Sequence, residues 1–172
     1  MSLSRFPSIV DDVTVRLIAG VVLLLSATAL GTQQWWLLAV LAVDFSLRAA
    51  LGPHASPVAR LVQHWVRPHV TATPRPTAGT PKRFAAAIGA VLTVTATAAW
   101  LVQLASGSGA AFAVLVGSTV VMVVFPALES LLGICVGCVL FGQLMRIGVV
   151  PEEICLDCAD ITRRAALRTA SS

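Results

Sequence analysis

Residues 110 to 150 read AAFAVLVGSTVVMVVFPALESLLGICVGCVLFGQLMRIGVV, and the way this stretch divides decides the fold. As one straight helix it would run about 60 Å, roughly twice a hydrocarbon core of about 30 Å. A fifth crossing would carry Arg163, Arg164 and Arg168 to the outer side, against the preference of basic flanks for the cytoplasm. The division that fits is a span from Ala110 to about Leu132, a break around Gly133, and a short cytoplasmic or re-entrant helix from Cys135 to about Gly148. Pro126 is placed to kink the span.

Outward from this stretch the chain remains apolar. Hydrophobic residues make up 57% of it, charged residues only 12%, and the mean hydropathy is +0.88, which excludes an ordinary soluble globule. Three further apolar runs, Val13 to Leu30, Gln33 to Leu51 and Phe84 to Leu104, approach or reach membrane-spanning length. Ala27-Thr28-Ala29 loosely resembles a cleavage site, but Asp11 and Asp12 spoil the basic flank of a signal peptide and a second apolar run follows at once. The expected fold is an all-α integral membrane protein of four transmembrane helices lying in a lipid bilayer.

Charge placement orients it. The links after the first and third runs carry no charge, whereas Gly52 to Arg83 holds Arg60, Arg67, Arg75, Lys82 and Arg83 with no acid. The basic loop is therefore expected inside, together with both termini, in an inner (plasma) membrane. Trp35, Trp36 and Trp100 then fall near the outer interface. The net charge of +4 follows the membrane boundary, so no nucleic-acid partner is expected. Within the loop, Ser56-Pro57 supplies a cap and a proline start to a helix whose Val58, Leu61, Val62, Trp65 and Val66 share a face, as in a cytoplasmic interfacial amphipathic helix. Pro68, Pro74, Pro76, Gly79 and Pro81 then make an extended linker. Ala86, Gly89, Ala90, Thr93, Ala96 and Thr97 would let neighbours approach the third span closely. Residues 1–148 are expected to form the helical bundle, and 149–172 a cytoplasmic tail.

Chemistry is concentrated in four cysteines, Cys135, Cys138, Cys155 and Cys158, spaced C-x2-C-x16-C-x2-C. That spacing suits a four-cysteine zinc site, and each pair alone suits a redox dithiol. If a helix starts near Cys135, its amide dipoles and nearby Lys82 or Arg83 favour a thiolate there, with Cys138 as the resolving thiol and Gly137 keeping the approach open. Cys155 and Cys158, flanked by acids, form a second dithiol or complete the zinc clamp. Asp44 and Arg48, four apart on the second span, read as an ion pair with Arg48 snorkelling to the interface, or as part of an ion path. Pivoting the hairpins about their turns puts Arg16 beside Arg48 and Glu129 near Lys82 and Arg83. His54, His64 and His69 have no partner at ligand spacing.

Asp44-Phe45-Ser46-Leu47-Arg48 running into Gly52-Pro53 and Ser56-Pro57, then Pro81-Lys82-Arg83-Phe84-Ala85, and Leu128-Glu129 ahead of Gly133-Ile134-Cys135-Val136-Gly137-Cys138, together resemble the bacterial integral-membrane family catalogued as domain of unknown function 4395. The resemblance covers roughly residues 10 to 147. It implies a multi-span protein with a CxGC pair at Cys135, Gly137 and Cys138 and a thioredoxin-like or sulfurtransferase-like protein partner, and it brings no established reaction. The expected activity is thiol redox or sulfur relay by Cys135/Cys138. A scaffold clamped by zinc on all four cysteines, or a transporter of small sulfur-containing anions, are the alternatives.

Overall fold

The computed structural model describes residues 9–74 and 76–148. They are mostly helical: α1 (Asp12–Thr32), α2 (Trp36–Leu51), α3 (Pro57–Leu61), α4 (Gly79–Ser106), α5 (Gly109–Ala127) and α6 (Val136–Arg146). Short side-chain caps start several of them. Asp11 accepts from the Val13 and Thr14 amides at 3.3 Å each, and Ser108 Oγ accepts from the Ala111 amide at 3.3 Å. α1 ends where Gln33 turns left-handed at φ 58°, and Gly107 at φ 62° makes the corresponding turn between α4 and α5.

Three helical segments, Asp12–Thr32, Pro81–Ser106 and Gly109–Leu132, are long and apolar enough to cross a membrane. α2 has 16 residues and is about 24 Å long, because the turn at Gln33 removes the first residues of the apolar run from the helix. Exposed Leu24, Val91, Leu101 and Val120 leave the outside of the bundle apolar, compatible with contact to a lipid bilayer. The last segment does not run as a uniform α-helix. Pro126 has no amide proton to return to the preceding turn, and a π-helical turn, Leu128–Leu132, follows directly.

Helix order in space differs from helix order in sequence. α4 packs against both α2 and α5, while α1 lies mainly on α5 and on the π-helical turn. The small residues of α4 explain this arrangement: Ala86, Thr93 and Ala96 are buried, and Gly89 lies under the Phe45 ring. An ideal Cβ at Gly89 would stand 2.5 Å from that ring, so the two helices meet at a distance only glycine permits. One apolar cluster joins Ile18, Val22, Leu41, Phe45, Val58, Val62 and Met122; a second, at the opposite end, joins Ala29, Leu38, Ala96 and Leu115. Trp35 meets Phe112 edge to face beside this second cluster, with ring centroids 6.3 Å apart.

The loop between α2 and α4 is more ordered than a linker. Ser56 Oγ caps α3 by accepting from the Ala59 amide at 3.0 Å, and a π-helical turn, Val62–Val66, continues it. Val58 and Val62 point into the core, whereas Leu61 and Trp65, the latter 75% exposed, point outward. The apolar residues grouped on one face by the sequence pattern are therefore split between protein and surroundings. Beyond this, Arg67 ties the chain down, its guanidinium donating to the Val70 and Ala72 carbonyls and to Asp11. A two-stranded antiparallel ribbon then pairs β1 (Ile9–Asp11) with β2 (Pro76–Ala78), an exception to the all-α expectation. Three-residue strands more than sixty residues apart carry no periodic signal, so the pairing is visible only in the fold.

Candidate functional site

The left-handed Gly133, φ 72°, stops the π-helical turn and reverses the chain. Its amide donates to the Glu129 carbonyl and the Ile134 amide to the Leu128 carbonyl, both at 3.1 Å, so the last carbonyls of the segment are satisfied where it ends. The Arg16 guanidinium covers this turn: a Cβ on Gly133 would lie 2.9 Å from it. Arg16 therefore serves the turn that ends the last long helical segment, as expected where α1 packs on α5 and on the π-helical turn.

Three residues later, at Val136, α6 starts. Cys135 lies immediately before it, its carbonyl accepting from the Val139 amide at 3.1 Å, and is only 8% exposed, whereas Cys138, one turn inside, is half-buried. The Cys138 thiol donates to the Cys135 sulfur, and this pulls Cys135 below the ordinary thiol range. Burial and Glu129 oppose the shift, while Lys82 and the Cys138 amide reinforce it. Serving as donor to Cys135 has the reverse effect on Cys138, whose thiol is held far above its usual range with burial adding to the shift. The two thiols are thus unequal.

Gly137 does something other than open the approach to the pair. A Cβ there would stand 2.4 Å from Ala85 Cβ and 2.7 Å from Ala85 Cα, so the glycine is the point at which α6 rests on the backbone of α4. Phe84 and Phe141 pack beside it, ring centroids 5.6 Å apart. Lys82, on the same stretch of α4, donates to Glu129 at 2.7 Å and lies 3.7 Å from Asp12. Its neighbour Arg83 points elsewhere, donating to the Ala49 carbonyl at the end of α2 at 2.9 Å. Of the two cations expected near the thiols, Lys82 is the one on the Cys135 side.

Asp44 is fully buried and serves three donors: Arg48 Nη2 and Ser56 Oγ at 2.6 Å each, and the Val58 amide at 2.9 Å. It staples α2 to the start of α3. Arg48 does not snorkel to the interface. Its side chain is 15% exposed, it lies over the Phe45 ring at 4.9 Å, and its Nε is buried without an acceptor. The pairing of Asp44 with Arg48 was legible from their spacing, but Ser56 and Val58 as further partners were not. The signal that pointed to Ser56 as a cap also marked it as a polar group near the end of α2.

These elements line a half-open cavity of about 110 Å³. Ile18, Phe45, Leu92 and Phe125 contribute apolar wall, and Arg48, Lys82, Glu129 and Cys135 supply polar groups. Asp44, stapled behind Arg48, orients the wall without lining it. Among the described residues no group of three or more His, Cys, Asp or Glu stands at metal-binding distance. The second pair, Cys155 and Cys158, lies outside the described residues.

The unequal thiols make a direct prediction. Rapid small-molecule alkylation of Cys135 is expected to follow a midpoint below the ordinary thiol value of about 8.5. The midpoint rises in Cys138→Ala, which removes the hydrogen bond that stabilises the thiolate. The rate of iodoacetamide modification against pH, followed by mass spectrometry, checks both; an unchanged midpoint in the variant contradicts the pairing.

A family model described as "Domain of unknown function (DUF4395)" matches residues 10–146, so the chain belongs to that family. No curated protein and no solved structure matches the chain.

Proposed function

We propose that this DUF4395 protein is a multi-span membrane thiol-redox or sulfur-relay protein whose reactive group is the Cys135/Cys138 dithiol. The observation that carries the reading is the placement of Cys135: immediately before the first residue of α6, one turn from Cys138, and lining a cavity with Lys82 and Glu129. In thiol exchange the Cys135 thiolate attacks a partner disulfide and releases one of its sulfurs as a thiolate. Cys138 then gives up its proton and attacks Cys135, freeing the second thiolate and leaving a Cys135–Cys138 disulfide. The partner is a thioredoxin-like or sulfurtransferase-like protein, and Cys155/Cys158 serve as a second dithiol.

The bundle crosses the plasma membrane four times, with both termini and the cysteines cytoplasmic. Supporting this are the basic 52–83 loop and the uncharged turns at the other end, which α2 must reach to join α1. Leu61 and Trp65 face outward from α3 and its extension, as an interfacial helix requires. The transport alternative has less support, since Arg48 and Lys82 are each matched by a carboxylate.

Mass-tagged maleimide, applied to membranes before and after mild oxidation, is expected to count two fewer free thiols after oxidation, with Cys135 and Cys138 the protected pair. If oxidation never protects them, the redox reading is wrong. The C-x2-C-x16-C-x2-C spacing keeps a zinc clamp as the second reading. One zinc per purified chain, lost in Cys155→Ser, would replace the relay with the clamp.

A further inference from the structure

α6 has two faces, and contacts within the fold account for one of them. Gly137 and Phe141 meet Ala85 and Phe84 of α4, and Cys135, just ahead of the helix, lines the cavity. The other arc, Val139, Leu140, Gln143 and Ile147, is exposed throughout. Its helical spacing continues past Arg146, because the Ile147 amide donates to the Gln143 carbonyl at 3.1 Å. Val139, Leu140 and Ile147 are apolar and Gln143 is neutral; no charged residue stands between Glu129 and Arg146. A helix face in water carries charged and polar side chains, and this one does not. The depth of α6 is fixed by its contact with α4. Ala85 lies four residues inside the apolar segment Pro81–Ser106, so the helices touch about 6 Å past the start of that segment. Along the chain, exposed Ile134 leads back from α6 to exposed Leu132 and Leu131, which close the spanning segment Gly109–Leu132.

We propose that α6 is an interfacial helix, with Val139, Leu140 and Ile147 seated among the lipid acyl chains of the leaflet at that end of the bundle. Helices of this kind bury their apolar side about 5–10 Å into the boundary between headgroups and acyl chains, which is the depth at which α6 meets α4. The occupant of the open face is lipid and not protein. The face follows directly on Leu131 and Leu132, which belong to a segment apolar enough to span, and a protein docked on α6 would have to displace lipid from them. The Lys82 to Glu129 pair, beside the same stretch of α4, marks the polar level from which α6 extends. α6 is thus held between α4 on one side and lipid on the other, and the Cys135/Cys138 pair is fixed at the membrane surface. This seat does not depend on the chemistry the thiols carry.

The test places the photoreactive residue benzoylphenylalanine singly at Val139, Leu140 or Ile147 of the full chain, held in nanodiscs of unsaturated phosphatidylglycerol and phosphatidylcholine. Val120, exposed on the spanning segment Gly109–Leu132, is the reference position. On irradiation the ketone inserts into a neighbouring C–H bond, so a side chain among acyl chains gains the mass of one lipid and one in water does not. Lipid adducts at all three positions, within about tenfold of the yield at Val120, are expected in the mass spectrum of the intact protein. Yields more than tenfold below Val120 overturn the seat and put the face in water. Cross-linked dimers in place of lipid adducts give the face to a second copy. Adducts to another protein, when the same variants are irradiated in whole membranes, give it to a partner; either result overturns the lipid seat. All three positions are exposed and every native cysteine is kept, so misfolding of one variant leaves the other two to decide.

Discussion

Asp44→Ala is expected to lower the stability of the bundle by about 3–5 kcal/mol, the usual consequence of removing one partner from a buried ion pair. The carboxylate has no exposure and accepts three hydrogen bonds, from Arg48, Ser56 and the Val58 amide. Its loss leaves a guanidinium already lacking an acceptor at Nε without its counter-charge, and strips the α3 amide of its partner. Asp44→Asn retains an oxygen for Ser56 and Val58 but not the charge, so a smaller loss is expected. Thermal unfolding of the detergent-solubilised protein, followed by circular dichroism, ranks the two. If Asp44→Ala melts with the wild type, the carboxylate is not the staple the geometry makes it.

Gly137→Ala is expected to dislodge α6 and uncover Cys135. The added methyl would meet Ala85 Cβ at 2.4 Å and Ala85 Cα at 2.7 Å, and the second of these is backbone that cannot rotate away. Overpacking of this kind costs about 1–3 kcal/mol, and it falls where α6 is seated on α4, beside the contact of Phe141 with Phe84. Alkylation of Cys135 by a bulky maleimide, slow in the wild type because the thiol is 8% exposed, should become at least tenfold faster. Ala85→Gly, which removes the opposing methyl, should restore part of the protection in the double variant. Unchanged labelling in Gly137→Ala would mean that α6 is not seated on α4 there.

Both expectations come from contacts that spacing alone left ambiguous. Gly137 in a CxGC motif reads naturally as a residue kept small for an incoming substrate; the structure puts the backbone of α4 against it. Arg48 near the end of an apolar run reads as a snorkelling cation; Asp44 and the Phe45 ring hold it inside. Pairing Glu129 with Lys82 was legible because two antiparallel helices joined by a short turn bring equal distances from the turn to equal levels. What spacing did not show is that Arg16 covers the Gly133 turn, since that depends on α1 lying chiefly on α5 while α4 draws α2 to itself.

The amino-acid sequence by itself determined that this is a helical protein for an apolar surrounding, that its last long helical segment stops at Gly133, and that a dithiol follows the stop. These depend on local quantities: the length of apolar runs, the left-handed conformation glycine adopts without strain, and the spacing of thiols along the chain. Only the tertiary structure decided which helices touch, that the β ribbon closes the 76–78 end of the loop onto the first helix, and that Arg48, Lys82, Glu129 and Cys135 share one cavity. Those facts depend on which small residues of α4 allow the closest approach. That is a comparison between surfaces distant in the chain, and no local pattern records its outcome.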